Sequence, residues 1–212
     1  MDTMQIEWVF FDIGGTLLDE RETFDRWIHR TIEMQKSIGN EYTVKQLKDA
    51  MLAAAREGRS YFRGAMSDIG ITYYAPHDSV GEVLYPEVKS VLMSLSQKYK
   101  LGVIANQPVG TEKRLMQHGV RSYFSLILSS AEEGLEKPDP ALFLRALERA
   151  GCHPSQAVMI GDRPDNDIRP AKALGMKTIR VQQGLGGMMP VLCDDMRADY
   201  TIANLNDLIK IL

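Results

Sequence analysis

The stretch Phe10-Phe11-Asp12-Ile13-Gly14-Gly15-Thr16-Leu17-Leu18-Asp19 constrains this chain most. An apolar run from Ile6 to Phe11 reads as a buried strand bounded by turn residues. It delivers Asp12 into a Gly-Gly turn. In open α/β sheets, ligands bind at the carboxyl ends of strands, so Asp12 sits where such folds place their chemistry. A carboxylate there can ligate a metal or attack phosphorus to form an aspartyl phosphate. The competing reading is an aspartate that merely starts a turn or caps a helix.

The 212 residues suffice for one good core and a small second domain. A net charge of −3, with no basic run or interleaved aromatic patch, argues against a nucleic-acid groove. Cys152 and Cys193 lie far apart, without zinc-ligand spacing, and read as reduced structural thiols. No charged-then-apolar leader and no long apolar run occurs, so a cytoplasmic protein without a membrane span is the expectation.

After residue 19 the pattern changes. Residues 20–84 carry no convincing strand. They read as helices over about 22–37 and 43–59, the second with Thr43 as N-cap, and then an aromatic, Gly-punctuated segment. From about Tyr85, short apolar strands alternate with helices. The strands are 101–105, 126–129, 158–161, 178–181 and 200–202. The helical patterns are 86–97, 111–118, 140–150 and 168–174. Such alternation implies right-handed crossovers and a parallel sheet. The expected architecture is α/β: a core with a parallel sheet (1–19 and 85–212), with an α-helical insertion (20–84) between its first strand and the rest.

Four strand ends carry suggestive residues: Asp12 with Gly14, Gly15 and Thr16; Ala105-Asn106-Gln107; Glu136-Lys137-Pro138-Asp139; and Gly161-Asp162 through Asp167. The set suits phosphoryl transfer, where positioning and positive electrostatics dominate. Asp12, Asp162 and a carbonyl of the Gly14-Gly15 turn could hold Mg²⁺, which takes hard oxygen ligands. Turn amides could cradle phosphate. Lys137 would offset the crowded anions. Singly, each has an ordinary explanation: a surface lysine, an N-cap Asp162, a polar 165–167 turn, an Asn106 turn residue.

Together these motifs resemble the haloacid dehalogenase (HAD)-like hydrolase superfamily, over nearly the whole chain. Asp12, Gly15, Thr16, Leu17 and Asp19 match its first motif. Lys137 in Glu-Lys-Pro-Asp-Pro matches the third. Asp162 and Asp167 match the fourth. The resemblance implies a Mg²⁺-dependent phosphohydrolase acting through an aspartyl phosphate on a small phosphorylated metabolite, as a monomer or homodimer. It implies Asp12 as nucleophile and metal ligand, Gly14 as carbonyl ligand, and Asp162 as metal ligand. Asp167 would orient water on the metal. Lys137 would balance charge and, with Asn106, Gly15 and Thr16, hold phosphate. It also implies a Rossmann-like three-layer core (1–19 and 85–212) and a small α-helical cap inserted after the first motif (20–84).

Two departures stand out. Phosphatases of the family carry a second aspartate two residues after the nucleophile, which protonates the leaving group and then activates water; here that position is Gly14. The second motif's Ser or Thr is Ala105. General acid–base catalysis contributes about 10²–10⁴-fold, and a hydrogen bond to a charged group about 1.5–3 kcal/mol. Three readings follow. The first is a weak or specialised hydrolase with a substitute acid/base, for which His29, Asp25 and Gln107 qualify by chemistry alone. The second is an impaired pseudophosphatase binding phosphorylated ligands or a partner. The third is dehalogenase- or phosphonatase-type chemistry, the latter needing a cap lysine such as Lys36, Lys45 or Lys48. Arg56, Arg59, Arg63, Tyr61 and Tyr74 are candidate substrate contacts. Gln182–Met189 lacks any nucleotide-loop spacing and reads as a mobile surface loop, and Asp194-Asp195 as a solvated pair remote from the site.

Overall fold

In a computed structural model, which describes residues 5–212, six parallel strands form one twisted sheet. The first four residues, which the sequence assigns to the core, lie outside the described residues. The strands in chain order are β1 (Trp8–Phe11), β4 (Lys100–Ala105), β5 (Phe124–Ser129), β6 (Ala157–Gly161), β7 (Lys177–Val181) and β8 (Tyr200–Ile202), with the short β2 (Leu18–Asp19) and β3 (Val83–Leu84) between β1 and β4. Their order across the sheet is β5-β4-β1-β6-β7-β8. The six correspond to the six apolar runs. They are legible because a parallel sheet is covered on both faces, so its strands read as continuous apolar runs.

Alternation along β1 divides the core. Val9 and Phe11 pack on one face with Leu92, Leu101 and Val103. Trp8 and Phe10 pack on the other with Ile104, Phe143 and Met159. β1 lies between β4 and β6, so the carboxyl ends of those three strands meet beside Asp12. The sheet reverses direction of strand order on either side of β1, which is the switch point where α/β folds bind ligands.

The chain leaves the sheet through β2 and returns through β3, and these two strands pair antiparallel. Between them run α1 (Arg21–Ser37), α2 (Val44–Arg56) and α3 (Arg63–Asp68). The Thr43 side chain accepts from the Gln46 amide while Gln46 reaches back to the Thr43 amide, so the sequence-predicted N-cap is a full capping box. These helices carry their own apolar cluster, with Trp27, Ile28, Leu47, Met51 and Met66 at its centre. The Trp27 indole donates to the Ala75 carbonyl at 2.7 Å, tying α1 to the returning chain. The brief β2–β3 pair and α3 carry too few residues to show a period, so the sequence does not announce them.

The remaining helices flank the sheet: α4 (Val88–Leu95), α5 (Thr111–Gln117), α6 (Ser130–Glu133), α7 (Pro140–Ala150), α8 (Arg169–Ala173) and α9 (Leu208–Ile211). Asp139 caps α7 by accepting from the Ala141 amide at 2.8 Å, with Pro140 opening the helix. No helix among the described residues is long and apolar enough to cross a membrane.

Gly102 on β4 is required by packing. A Cβ there would stand 2.6 Å from the Phe10 ring on the neighbouring strand. Gly102→Ala should destabilise the protein by about 1–3 kcal/mol through overpacking, read as a lower thermal midpoint. An unchanged midpoint would contradict this account of the central strands.

Candidate active site

Four sequence-predicted residues converge where β1, β4 and β6 end. Lys137 Nζ donates to Asp12 Oδ1 at 2.7 Å, to Asp167 Oδ1 at 2.5 Å and to the Ile104 carbonyl at 2.9 Å. All three ammonium donors are therefore used. Lys137 is 3% exposed, so it is a core cation rather than a solvated one. Burial works against its charge, but Asp12 and Asp167 outweigh that cost and hold its pKa above the usual lysine value. Asn106 fixes the lysine from behind: its side-chain amide donates to the Lys137 carbonyl at 2.8 Å and its oxygen accepts from the Lys137 amide at 2.7 Å.

Asp12, Asp162 and Asp167 are buried, and each offers a carboxylate oxygen within 4.8 Å of the others. Asp162 Oδ1 has no hydrogen-bond partner among the described residues. Burial, then the neighbouring charges of Asp167 and Asp12, hold the Asp162 carboxyl well above the usual aspartate range. Burial also raises Asp167, against the pull of Lys137. A buried oxygen without a partner, among hard oxygen donors carrying excess negative charge, fits a divalent cation of the Mg²⁺ class.

Glycines let the backbone close on these carboxylates. Gly15 has φ +66°, and a Cβ there would come within 3.0 Å of the Asp162 carboxyl carbon. A Cβ on Gly186 would run into Asp162, and one on Gly161 into Asp167. The Gly15 amide donates to the Leu18 carbonyl at 2.9 Å and the Thr16 amide to the Ile13 carbonyl at 3.3 Å. Both amides expected to cradle phosphate are thus engaged within the turn, and the Thr16 hydroxyl is buried without a partner among the described residues.

The Gln182–Met189 segment corrects the mobile-loop expectation. The buried Arg180 donates to the carbonyls of Gly186 (3.1 Å), Gly187 (3.1 Å), Met189 (2.6 Å) and Asp162 (3.2 Å). This one guanidinium pins the loop against Asp162, while Leu185 packs on the α1–α3 cluster. Composition hides this, because a glycine-rich loop reads the same whether solvated or held by a distant arginine. Asp194 and Asp195 are exposed, with Asp195 paired to Arg169 at 2.8 Å.

Two adjoining cavities open onto the cluster. One, of about 490 Å³, is lined by Asp12, Gly14, Asn106, Gln107, Lys137 and Arg163, among others. The other, of about 400 Å³, is mainly apolar, with Phe24, Ile28, Met51, Leu52, Leu185 and Met188. Tyr61 borders both, and Arg63 and Tyr74 border the first. Arg59 is instead held by Glu57 and Asp68, at 2.6 Å each, and Arg56 is exposed. Asp25 and Lys48 border the apolar cavity, paired to each other at 2.8 Å. His29, Lys36 and Lys45 are exposed. Gln107 accepts from Arg114 at 2.5 Å.

Glu20, which the sequence reading passed over, also borders both cavities. It caps α1 without making a cap hydrogen bond. Burial, then the nearby charges of Glu82 and Asp12, push its carboxyl up to about 8.

Residues 9–181 match the family model described as haloacid dehalogenase-like hydrolase. A glyceraldehyde 3-phosphate phosphatase from Methanopyrus kandleri is 35% identical, over 98% of this chain and 97% of that one. A phosphoglycolate phosphatase from Aquifex aeolicus is 27% identical, over 96% and 95%. A solved HAD phosphatase from Thermococcus onnurineus superposes with a TM-score of 0.72, covering 97% of both chains at 24% identity, and shares the fold. The chain belongs to the haloacid dehalogenase-like hydrolases.

The raised Glu20 carboxyl has a consequence for stability. The folded state holds this proton more tightly than the unfolded chain, whose value is near 4.5. Stability from the neutral carboxyl is full below that value and is lost as pH rises through about 8. In EDTA, the thermal midpoint of the wild type should fall relative to Glu20→Gln over this window. Parallel profiles would contradict the shift.

Proposed function

We propose that the protein is a Mg²⁺-dependent phosphoric monoester hydrolase acting on a small phosphorylated metabolite. The observation that carries this reading is the buried Lys137 ammonium held between Asp12 and Asp167, beside the partnerless Asp162 oxygen. The phosphatases among its relatives support the same chemistry.

In this reading Asp12, Asp162 and the Gly14 carbonyl hold the cation, with Asp167 completing the acidic set. The cation supplies positive charge to the phosphoryl oxygens. One oxygen of Asp12 attacks phosphorus, the ester oxygen leaves, and water then cleaves the aspartyl phosphate. Lys137 fixes the Asp12 carboxylate and offsets negative charge as the phosphoryl group transfers. Asn106 positions Lys137 and lines the cavity that holds Asp12, whereas the Gly15 and Thr16 amides expected to hold phosphate are spent on the turn itself. Residues 20–84 act as a cap over the site, with Tyr61, Arg63 and Tyr74 facing the substrate. Closed over bound substrate, the cap would exclude bulk water. A pseudophosphatase that binds without turnover is the second reading, favoured by the missing side chain at Gly14 and the Ala105 methyl.

Phosphate release from acetyl phosphate, p-nitrophenyl phosphate, glyceraldehyde 3-phosphate and phosphoglycolate tests the proposal, with and without Mg²⁺. The expected result is turnover that requires the metal and falls at least about 10³-fold in Asp12→Asn. Binding of these compounds, seen as thermal stabilisation without phosphate release, would establish the second reading instead.

A further inference from the structure

The position where related phosphatases carry an acid/base side chain is Gly14, yet the space beside it is not empty. A Cβ built on Gly14 would lie 2.9 Å from the Glu20 carboxyl carbon and 3.1 Å from Glu20 Oε1, with Oε2 nearer still. The Glu20 carboxyl therefore occupies the volume into which a side chain at residue 14 would grow. The turn explains how a residue six positions later reaches it. Gly14 and Leu18 form a β-bridge, so the chain folds back on itself before β2 ends. Asp19 then accepts from the Arg21 amide at 3.0 Å and from the Arg21 guanidinium, at 2.8 Å from its Nε, fixing the step into α1.

Glu20 also stands at the junction of the two cavities. It borders the polar one, which holds Asp12 and Lys137, and the apolar one. In-line displacement sends the leaving group away from the attacking Asp12 oxygen, and Glu20 lines the same cavity as Asp12. The candidates proposed from residue chemistry do not share this place: His29 is exposed, Asp25 is paired to Lys48, and Gln107 is held by Arg114.

We propose that Glu20 is the general acid/base of this enzyme, replacing in space the side chain that Gly14 lacks. The assignment rests on the hydrolase reading above. In the first half-reaction an Asp12 oxygen bonds phosphorus, the bond from phosphorus to the ester oxygen breaks, and the Glu20 proton moves to that oxygen to release an alcohol. In the second, the Glu20 carboxylate takes a proton from water. The water oxygen bonds phosphorus, the bond from phosphorus to Asp12 breaks, inorganic phosphate leaves, and Glu20 is protonated again.

The test compares wild type, Asp12→Asn, Glu20→Gln, Glu20→Ala, Gly14→Asp and Glu20→Ala combined with Gly14→Asp. Substrates are glycerol 2-phosphate, whose leaving group needs a proton, and acetyl phosphate, whose leaving group does not. In Glu20→Gln, kcat on glycerol 2-phosphate should fall about 10²–10⁴-fold. Acetyl phosphate should instead give a burst of about one equivalent of acetate, because phosphorylation proceeds and hydrolysis stalls. Gly14→Asp alone collides with Glu20, whereas the double variant should recover at least about tenfold over Glu20→Ala. Glu20→Gln turnover within about threefold of wild type on both substrates overturns the assignment. So does a uniform loss with neither burst nor recovery, which would make Glu20 a structural residue only. Wild-type inactivity on both substrates, equal to Asp12→Asn, overturns the hydrolase reading and this assignment with it. Activity lost in Asp12→Asn but kept in Glu20→Gln removes this assignment alone.

Discussion

The site depends on one buried ammonium. Lys137 holds Asp12 and Asp167 at 2.7 and 2.5 Å, and Asp162 stands beside them with an oxygen that nothing among the described residues satisfies. Charges in a low-dielectric interior are costly unless paired and fully hydrogen-bonded. A single lysine cannot balance three carboxylates, and the raised Asp162 and Asp167 carboxyls record that crowding: burial and neighbouring charge oppose ionising all three together. Removing Lys137 would leave carboxylates buried without compensation, so this lysine is what allows the sheet to end in a cluster of acids.

Such crowding is possible only where the backbone comes close. Gly15 and Gly186 close on Asp162, and Gly161 on Asp167, leaving no room for a Cβ. Arg180, at the end of β7, holds the glycine loop in place through several carbonyls and the Asp162 carbonyl. The acid cluster, the turn after β1 and the loop after β7 therefore behave as one unit. Strain at any one of them reaches the others, because a close-packed interior gives little.

Much of this architecture was legible in the sequence. Strands covered on both faces announce themselves as apolar runs, and the helix over 140–150 carries its own N-cap and opening proline. Asp12, Asp162 and Asp167 were legible because they follow β1 and β6, and parallel strands bring their carboxyl ends to one edge; Lys137, expected at a strand end, instead lies between α6 and α7 and reaches the edge through its long side chain. What escaped was spatial. Glu20 reaches Gly14 only because the turn doubles back, and no spacing rule relates the two. Arg180 reads as one residue of an edge-side strand, yet it immobilises a loop that composition makes look loose. Asn106 looked available for phosphate, while its amide is largely committed to the backbone of Lys137. In each case a partner distant in sequence, or hidden by a fold-back, sets the role.

The most direct test of the account is to trap the covalent intermediate. Wild-type protein mixed with acetyl phosphate and Mg²⁺, quenched in acid within a turnover and mapped by peptide mass, should carry one phosphoryl group on Asp12. The modification should be lost on treatment with neutral hydroxylamine, as an acyl phosphate requires. Phosphate released with no modified Asp12 at any quench time, or a phosphoryl group on another residue, would contradict the central claim that this carboxylate is the nucleophile the buried cluster is built to present.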